Sequence, residues 1–409
     1  FVQEADQQAV CERLARLSEE ELARQVELIQ TALCAMPSAA AANSPRIELA
    51  DWPVARSELA TVAAALAAEA GQAGELEELA HLRAGAARVA AELRARAVHG
   101  ADGTATWLGV AALPVPRRYQ HQPLPMYLDS GVAGVALFLA AQAQQAPDGQ
   151  GAASAALRQA ASLHLRKWLR GPSSGALPLG LGALTGCGSL LYALVRTAKL
   201  SGDSELLEDA LAVLALLTPE RIAADQALDL ASGAAGAILG LLALHAATSE
   251  PLALEQAVRC GEHLLARQVE GNSRRRAWPF FTGTSHSTPL TGFSHGAAGI
   301  SYALERLYAV TRNDRFDNAC LDGLTYERAL QLPDSGHWPD LRPNAARRFA
   351  CSWEHGAPGI GLSRLGMLGD SEGDRPELER EIDAALTANE QEPWDGVDQV
   401  ASGNFGRLE

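Results

Sequence analysis

Apolar and polar positions along this 409-residue chain fall into stretches that read almost entirely as helix. Residues 5 to 35 place apolar and charged side chains at helical spacing. Ser18 followed by Glu21 is a capping-box signature inside them, so two helices with a break near Leu17 are expected. Residues 37 to 45 are a linker of small residues. Residues 54 to 70 and 75 to 98 are rich in Ala, Leu, Glu and Arg, which favour helix. Residues 114 to 125 form a Pro-rich connector that contains Arg117, Arg118, His121 and Gln122.

From Gly131 onward a repeat emerges. Gly131-Val132-Ala133-Gly134 opens an apolar run from Val135 to Gln142, and Gly182 to Gly188 opens Ser189 to Lys199. Gly233 to Gly236 opens Ala237 to Ala247, Gly296 to Gly299 opens Ile300 to Val310, and Gly356 to Gly359 opens Ile360 to Leu368. Gly403 to Gly406 begins a sixth unit, and the units recur at roughly 47 to 63 residues. Amphipathic segments follow the apolar ones, as in Ser204 to Leu217, Leu252 to Arg267 and Arg315 to Leu330. A helix apolar on most sides must be buried, and an amphipathic partner can cover it. The pattern therefore predicts an inner row of helices backed by an outer row. The glycines let the backbone turn sharply and approach its neighbours. The helix N-termini would share one cavity, where free N–H groups favour negative charge. Periodicity leaves a closed ring and an open, protein-binding solenoid as alternatives.

Composition narrows the function. Apolar residues make up 47% and aromatics 5%, with few β-branched runs, so a large sheet is not expected. A net charge of −15 argues against nucleic acid as the main partner. No apolar run approaches the ~20 residues that span a bilayer, and the polar, acidic start does not read as a signal peptide. Cys11, Cys34, Cys187, Cys260, Cys320 and Cys351 are widely spaced, without a C-x-x-C pair. These features predict free thiols in a cytoplasmic protein. The chain begins without Met and stops after Gly406-Arg407-Leu408-Glu409, so a fragment of a longer protein is expected.

Two segments carry a family resemblance. Gly292-Phe293-Ser294-His295-Gly296-Ala297-Ala298-Gly299-Ile300 and Ser352-Trp353-Glu354-His355-Gly356-Ala357-Pro358-Gly359-Ile360-Gly361-Leu362 resemble the lanthionine synthetase C-like cyclases. The match is closest to the C-terminal cyclase domain of class II lanthipeptide synthetases. Thr106 to Gly109, Gly131 to Ala141, Trp338-Pro339-Asp340 and Gly403 to Glu409 agree with it. A single G-x-x-G carries no information, but six in series with S-H-G and W-x-H-G contexts are specific. The resemblance covers about residue 50 to the end. It implies an all-α fold, an α/α toroid of two concentric helical rings, over residues 51 to 409, truncated at the C-terminus. Residues 1 to 50 resemble the junction to an upstream dehydratase domain in the same polypeptide.

The resemblance also implies a reaction, in which a peptide cysteine thiol adds to a dehydroalanine or dehydrobutyrine of the same precursor peptide and closes a thioether ring. In the family, zinc binds that thiol as thiolate. The positions matching the family's zinc ligands are Glu354, Ala401 and Ser402. Alanine cannot ligate, a neutral serine ligates poorly, and one carboxylate is not a site, whereas a catalytic zinc needs three protein ligands. No cofactor is therefore expected. Zinc could enter only through a non-family set such as Cys351, Glu354, His355 and His295.

His295 matches the family's catalytic histidine, as acid toward the enolate or base toward the thiol. The plain alternative is a packed histidine bonded to a backbone carbonyl. Asp129 is the candidate to orient it, although the family's aspartate often lies four residues before a repeat glycine, where the first repeat has Tyr127. An N-cap role for Asp129 or Ser130 competes. His355 is a third cavity candidate, with a hydrogen-bonded loop residue as its alternative. Trp338 and Trp353 read as packing residues, and Arg274 to Arg276 as a solvated loop able to touch an acidic leader peptide. Three functions compete: a zinc-free or weakened cyclase, a degenerate module that binds the precursor peptide, and a glycoside hydrolase. The last needs a pair of cavity carboxylates, and only Asp129 and Glu354 are available.

Overall fold

The computed structural model describes residues 74–112, 119–145, 150–171, 179–271, 275–281, 286–332, 335–342, 345, 349–369, 375–394 and 400–408. The helices expected over residues 5 to 35 and 54 to 70, the linker at 37 to 45 and the boundary near residue 50 lie outside these residues. So do Cys11, Cys34 and Arg274. The chain divides into two compact units, Phe1–Leu124 and Pro125–Glu409.

In the first unit, helix α1 (Gly74–Ala95) follows the expected helical stretch closely. Trp107 packs against it, 4% exposed, and its indole N–H donates to the Leu93 carbonyl at 2.8 Å. Strands β1 (Val98–His99) and β2 (Ala105–Thr106) form a small antiparallel hairpin. The segment read as a connector is partly strand. β3 (Leu108–Ala112) pairs with β4 (Tyr119–Pro123), with Leu108 opposite Pro123 and Ala112 opposite Tyr119. Pro123, at the end of β4, does not interrupt a two-stranded ladder.

The second unit is built from helical hairpins. Its inner helices are α2 (Val132–Gln145), α4 (Cys187–Ser201), α7 (Ala234–Thr248), α9 (Ala297–Thr311), α11 (Ala357–Met367) and the short α13 (Phe405–Leu408). Each packs on the next in that order. The outer partners are α3 (Gln150–Arg170), α5 (Glu205–Leu214), α8 (Pro251–Ala266), α10 (Asp314–Arg328) and α12 (Arg375–Gln391). Each outer helix covers its own inner helix, and a short α6 (Pro219–Ala223) follows α5. Helix α7 shows why the inner row is apolar, since Ala234, Ile238, Leu241 and Leu244 are all fully buried. Two of the outer helices begin with caps. Asn313 accepts from the Arg315 amide at 3.2 Å, and Pro251 starts α8 at the position where proline loses no helical bond. Two small hairpins, β5 (Val269–Glu270) with β6 (Arg276–Ala277) and β7 (Phe280–Phe281) with β8 (His286–Ser287), connect α8 to α9.

The inner helices begin about three residues earlier than their apolar runs suggested. The second glycine of the motif lies inside the first turn. A Cβ there would collide with the carbonyl six residues upstream: Leu128 for Gly134, Leu230 for Gly236, Phe293 for Gly299, Trp353 for Gly359 and Val400 for Gly406. The motif thus folds each tip loop back onto its own helix. The second repeat differs, with Ser189 in that place bonding the Gly186 carbonyl at 2.7 Å. Among the described residues, no helix is long and apolar enough to cross a membrane.

Candidate active site at the helix tips

The tip loops are joined to one another by a chain of backbone hydrogen bonds. The Asp129 amide donates to the Leu184 carbonyl and the Leu184 amide to Ala231, both at 3.1 Å. Ala231 donates to Ser294 and Ser294 to Glu354, again at 3.1 Å, and Glu354 donates to Ala401 at 2.9 Å. All six residues lie two positions before a repeat glycine. The chain of bonds sets the six tips in register, with Ser130, Thr185, Ser232, His295, His355 and Ser402 at the next position of each. Two neighbouring tips therefore present imidazoles side by side.

His295 and His355 are stacked, with ring centroids 5.7 Å apart and an interplanar angle of 28°. Phe280 closes on His295 edge-on at 6.0 Å. The His295 Nδ1 lies 2.8 Å from Asp229 Oδ2, and the Asp229 side chain is almost wholly buried. Asp229 Oδ1 accepts from the Ser232 amide at 2.7 Å, so the carboxylate is fixed before it meets the ring. That geometry puts the proton on Nδ1 and leaves Nε2 for chemistry. Burial works against a charged His295. The hydrogen bond and charge of Asp229, helped by Glu354 and opposed by Arg342, outweigh it and raise its pKa above 6.5.

His355 experiences the opposite field. Burial first, then the charges of Arg342 and His295, push its pKa down to about 4, with Asp340 opposing. Its loop is a tight turn in which the His355 amide donates to Ser352 Oγ at 3.2 Å, and the Ser352 amide to the His355 carbonyl at 3.0 Å. Gly356 closes the turn with φ +103, a conformation that favours glycine. Across the cluster, Arg342 grips Asp340 through Nε at 3.0 Å and Nη2 at 2.7 Å. The paired guanidinium draws the Asp340 carboxyl below its usual range against the effect of burial. Thr291 Oγ1 donates to the Pro339 carbonyl at 2.7 Å and ties this loop to the His295 tip. Trp338, fully buried, packs in the core with Ile360 and Ala385, while Trp353 meets Phe293 edge-on at 5.3 Å.

The His295 tip is also held from below. The Gly292 amide donates to Glu327 Oε1 at 3.0 Å. Glu327 Oε2 accepts from Arg364 at 2.7 Å, and Arg364 reaches Glu381 at 2.6 Å, all with fully buried side chains.

Asp129 stands elsewhere. It is exposed and accepts from the Ser130 hydroxyl at 3.3 Å. Its expected role beside the histidine is corrected to Asp229. The signal was present, since Asp229 lies four residues before Gly233, the offset expected of the family's aspartate, but in the third repeat rather than the first. Arg342 and Glu327 had no comparable signal, because each reaches the tips from outside the repeated motif.

The three positions matching the family's zinc ligands are assembled but carry the wrong chemistry. The Glu354–Ala401 backbone bond brings the two loops together, yet the donors there are one carboxylate, a methyl group and the hydroxyl of Ser402. These residues do not fit a catalytic zinc, which needs three nitrogen, sulfur or carboxylate ligands and an open position. Cys351 does not complete a substitute set. Its thiol faces Asn389 Oδ1 at 3.6 Å, and burial pushes it up to about 11. Among the described residues, no group of three His, Cys, Asp or Glu side chains is placed to hold a metal ion.

Nisin cyclase is similar in structure, with a TM-score of 0.55 at 14% identity over 69% of this chain and 74% of that one. An unsaturated glucuronyl hydrolase from Bacillus sp. GL1 aligns over 75% of this chain and 81% of its own, at 15% identity and a TM-score of 0.47. No curated protein sequence matches the chain. The likeness to nisin cyclase establishes the α/α toroid fold. The family model described as lanthionine synthetase C-like protein matches residues 122–409. Six glycine-tipped repeats and most of the chain's length fall within that match, and the chain belongs to the lanthionine synthetase C-like family.

Proposed function

We propose that the chain is a lanthipeptide cyclase domain that closes thioether rings without zinc. The observation that carries this reading is the stacked pair His295 and His355, with Asp229 favouring the charged form of His295 and burial favouring the neutral form of His355. Two titratable groups pushed apart by their surroundings divide acid and base work between them. The substrate is a dehydrated precursor peptide. Its cysteine S–H loses the proton to neutral His355. The sulfur then bonds to Cβ of the dehydroalanine or dehydrobutyrine, and the C=C π pair moves into the adjoining amide as an enolate. His295 Nε2 delivers a proton to Cα and completes the thioether. The two imidazoles exchange roles in the step, and solvent resets them. Holding thiol and alkene together supplies much of the acceleration. An upstream dehydratase domain in the same polypeptide, in the cytoplasm, would supply the substrate.

The test is incubation with a synthetic peptide that carries one dehydroalanine and one cysteine, followed by thiol alkylation and mass spectrometry. Alkylatable thiol should disappear faster than without protein, and His295→Ala should abolish the excess. The chemistry at Ala401 and Ser402 favours one alternative, a degenerate module that only holds the precursor peptide. Measurable peptide binding with no excess rate would establish the module instead.

A further inference from the structure

Resting on the cyclase reading, we infer that Arg342 is a catalytic residue of this site, a fixed guanidinium that stabilises the substrate's cysteine thiolate where the family uses zinc. Trp338-Pro339-Asp340 resembles the family in sequence, yet no role in the proton transfers falls to it. Its position gives it one. Trp338 is fully buried and anchors the loop in the core, and Thr291 fastens Pro339 to the tip that carries His295. Asp340, with its side chain 3% exposed, then holds Arg342 by a two-pronged grip. The grip uses Nε and Nη2 and leaves the guanidinium with further N–H donors. Arg342 is 38% exposed, so those donors are accessible to a bound peptide.

The groups that face Arg342 define where its charge acts. Glu354 and Asp340 favour the charged guanidinium. In return Arg342 depresses both imidazoles, on the tips of α9 and α11. Glu354 occupies the position matching the family's first zinc ligand. The Thr291–Pro339 bond sets the Arg342 loop against the His295 tip, and the Ser294 amide of that tip donates to the Glu354 carbonyl at 3.1 Å, so the guanidinium stands beside the thiol end of the site. His295, tied to Asp229, marks the proton-donating end. Zinc would bring positive charge to the sulfur, and Glu354, Ala401 and Ser402 bring none. Arg342 is a positive group at this site that does not titrate in the working range. No bond to it forms and it keeps its protons. It lowers the free energy of the thiolate after His355 has taken the S–H proton and before the C–S bond closes.

An opposite charge within about 4–6 Å lowers an acid's pKa by about 1–3 units. Near neutral pH, one unit is about a tenfold change in thiolate. The test uses the dehydroalanine–cysteine peptide and a non-reacting analogue with alanine in place of dehydroalanine. Arg342→Gln should slow ring closure at pH 7 about tenfold and move the alkaline rise of the thiol-dependent rate upward by about one unit. Arg342→Lys should retain most of the rate and the original profile. The analogue should bind the wild type more tightly as its thiol ionises between pH 7 and 9.5, and Arg342→Gln should flatten that dependence. A wild-type rate and profile in Arg342→Gln would overturn the assignment. If the wild type accelerates nothing but its affinity for the analogue still follows thiol ionisation through Arg342, the cyclase reading fails and the thiolate site stands. Affinity independent of pH in the wild type overturns the thiolate site whatever the rate.

Discussion

Replacing Asp229 by Asn separates the charge of the His295 partner from its shape. The carboxylate meets Nδ1 at 2.8 Å and is 6% exposed, so its field is weakly screened. Asn can keep the Ser232 amide bond through its oxygen, and it then points NH2 at Nδ1. A protonated Nδ1 cannot face that donor, so the substitution favours the neutral ring with the proton on Nε2. Burial, which already disfavours the charged ring, is left unopposed except by Glu354. Loss of an adjacent carboxylate is worth about 1–3 units. With the ring 26% exposed, the lower half of that range, about 1–2 units, is expected, or about 1.4–2.7 kcal/mol. The His295 titration midpoint should fall, and ring closure at pH 7 should slow about 10–100-fold. Two-dimensional ¹H–¹⁵N NMR of the imidazoles reads the midpoint and the tautomer, and the thiol-loss assay reads the rate. A midpoint for His295 unchanged in Asp229→Asn would refute the claim that this carboxylate charges the ring.

Further outcomes follow from the same geometry. The working state needs His355 neutral and His295 charged, so the rate should fall as pH drops toward about 4 and again as it rises through the raised His295 value. Stability moves differently at the two residues. His355 has a folded pKa below the unfolded one, so its contribution declines as pH falls from about 6.5 to about 4. His295 has a raised folded pKa, so its contribution is complete below about 6.5 and is lost as pH climbs through the folded value. Acid and alkaline melts of His355→Asn and His295→Gln would check the two signs. Gly356→Ala should destabilise by at least about 1–3 kcal/mol, because φ is +103 and the new Cβ would strike the Ala350 carbonyl; a melting temperature equal to wild type would contradict this. Glu354→Cys with Ala401→Cys and Ser402→His should take up one zinc per chain, since the loops already meet at the Glu354–Ala401 bond. Metal analysis finding no zinc would show that the tips are not positioned as described.

The fold was legible because its cause repeats. Each G-x-x-G marks a tip where the helix must accept its own loop carbonyl, and an apolar run follows to be buried. The apolar runs begin about three residues after the inner helices do, because the second glycine sits inside the first helical turn. In Gly236, Gly299 and Gly359 it is a contact residue there. His295 and His355 were legible for the same reason, each standing directly before a repeat glycine. Their partners were not. Asp229 follows the repeat offset but lies 66 residues from His295, a pairing that only the register of neighbouring tips determines. Arg342 comes from a loop without a repeat pattern, and its direction depends on a two-pronged grip on Asp340. Glu327 looks like a surface charge on an amphipathic outer helix, yet it is fully buried beneath Gly292 against Arg364. Patterns in one dimension find what recurs, whereas charge pairing across elements is set by packing.

One rate, measured with a chelator present, decides whether this site works without metal. The purified chain should consume the thiol of the dehydroalanine–cysteine peptide faster than the uncatalysed reaction. Excess EDTA should leave that rate unchanged, and His295→Ala should reduce it to background. A rate that collapses with EDTA and returns with added zinc, or one that survives His295→Ala intact, would contradict a metal-free site centred on this histidine.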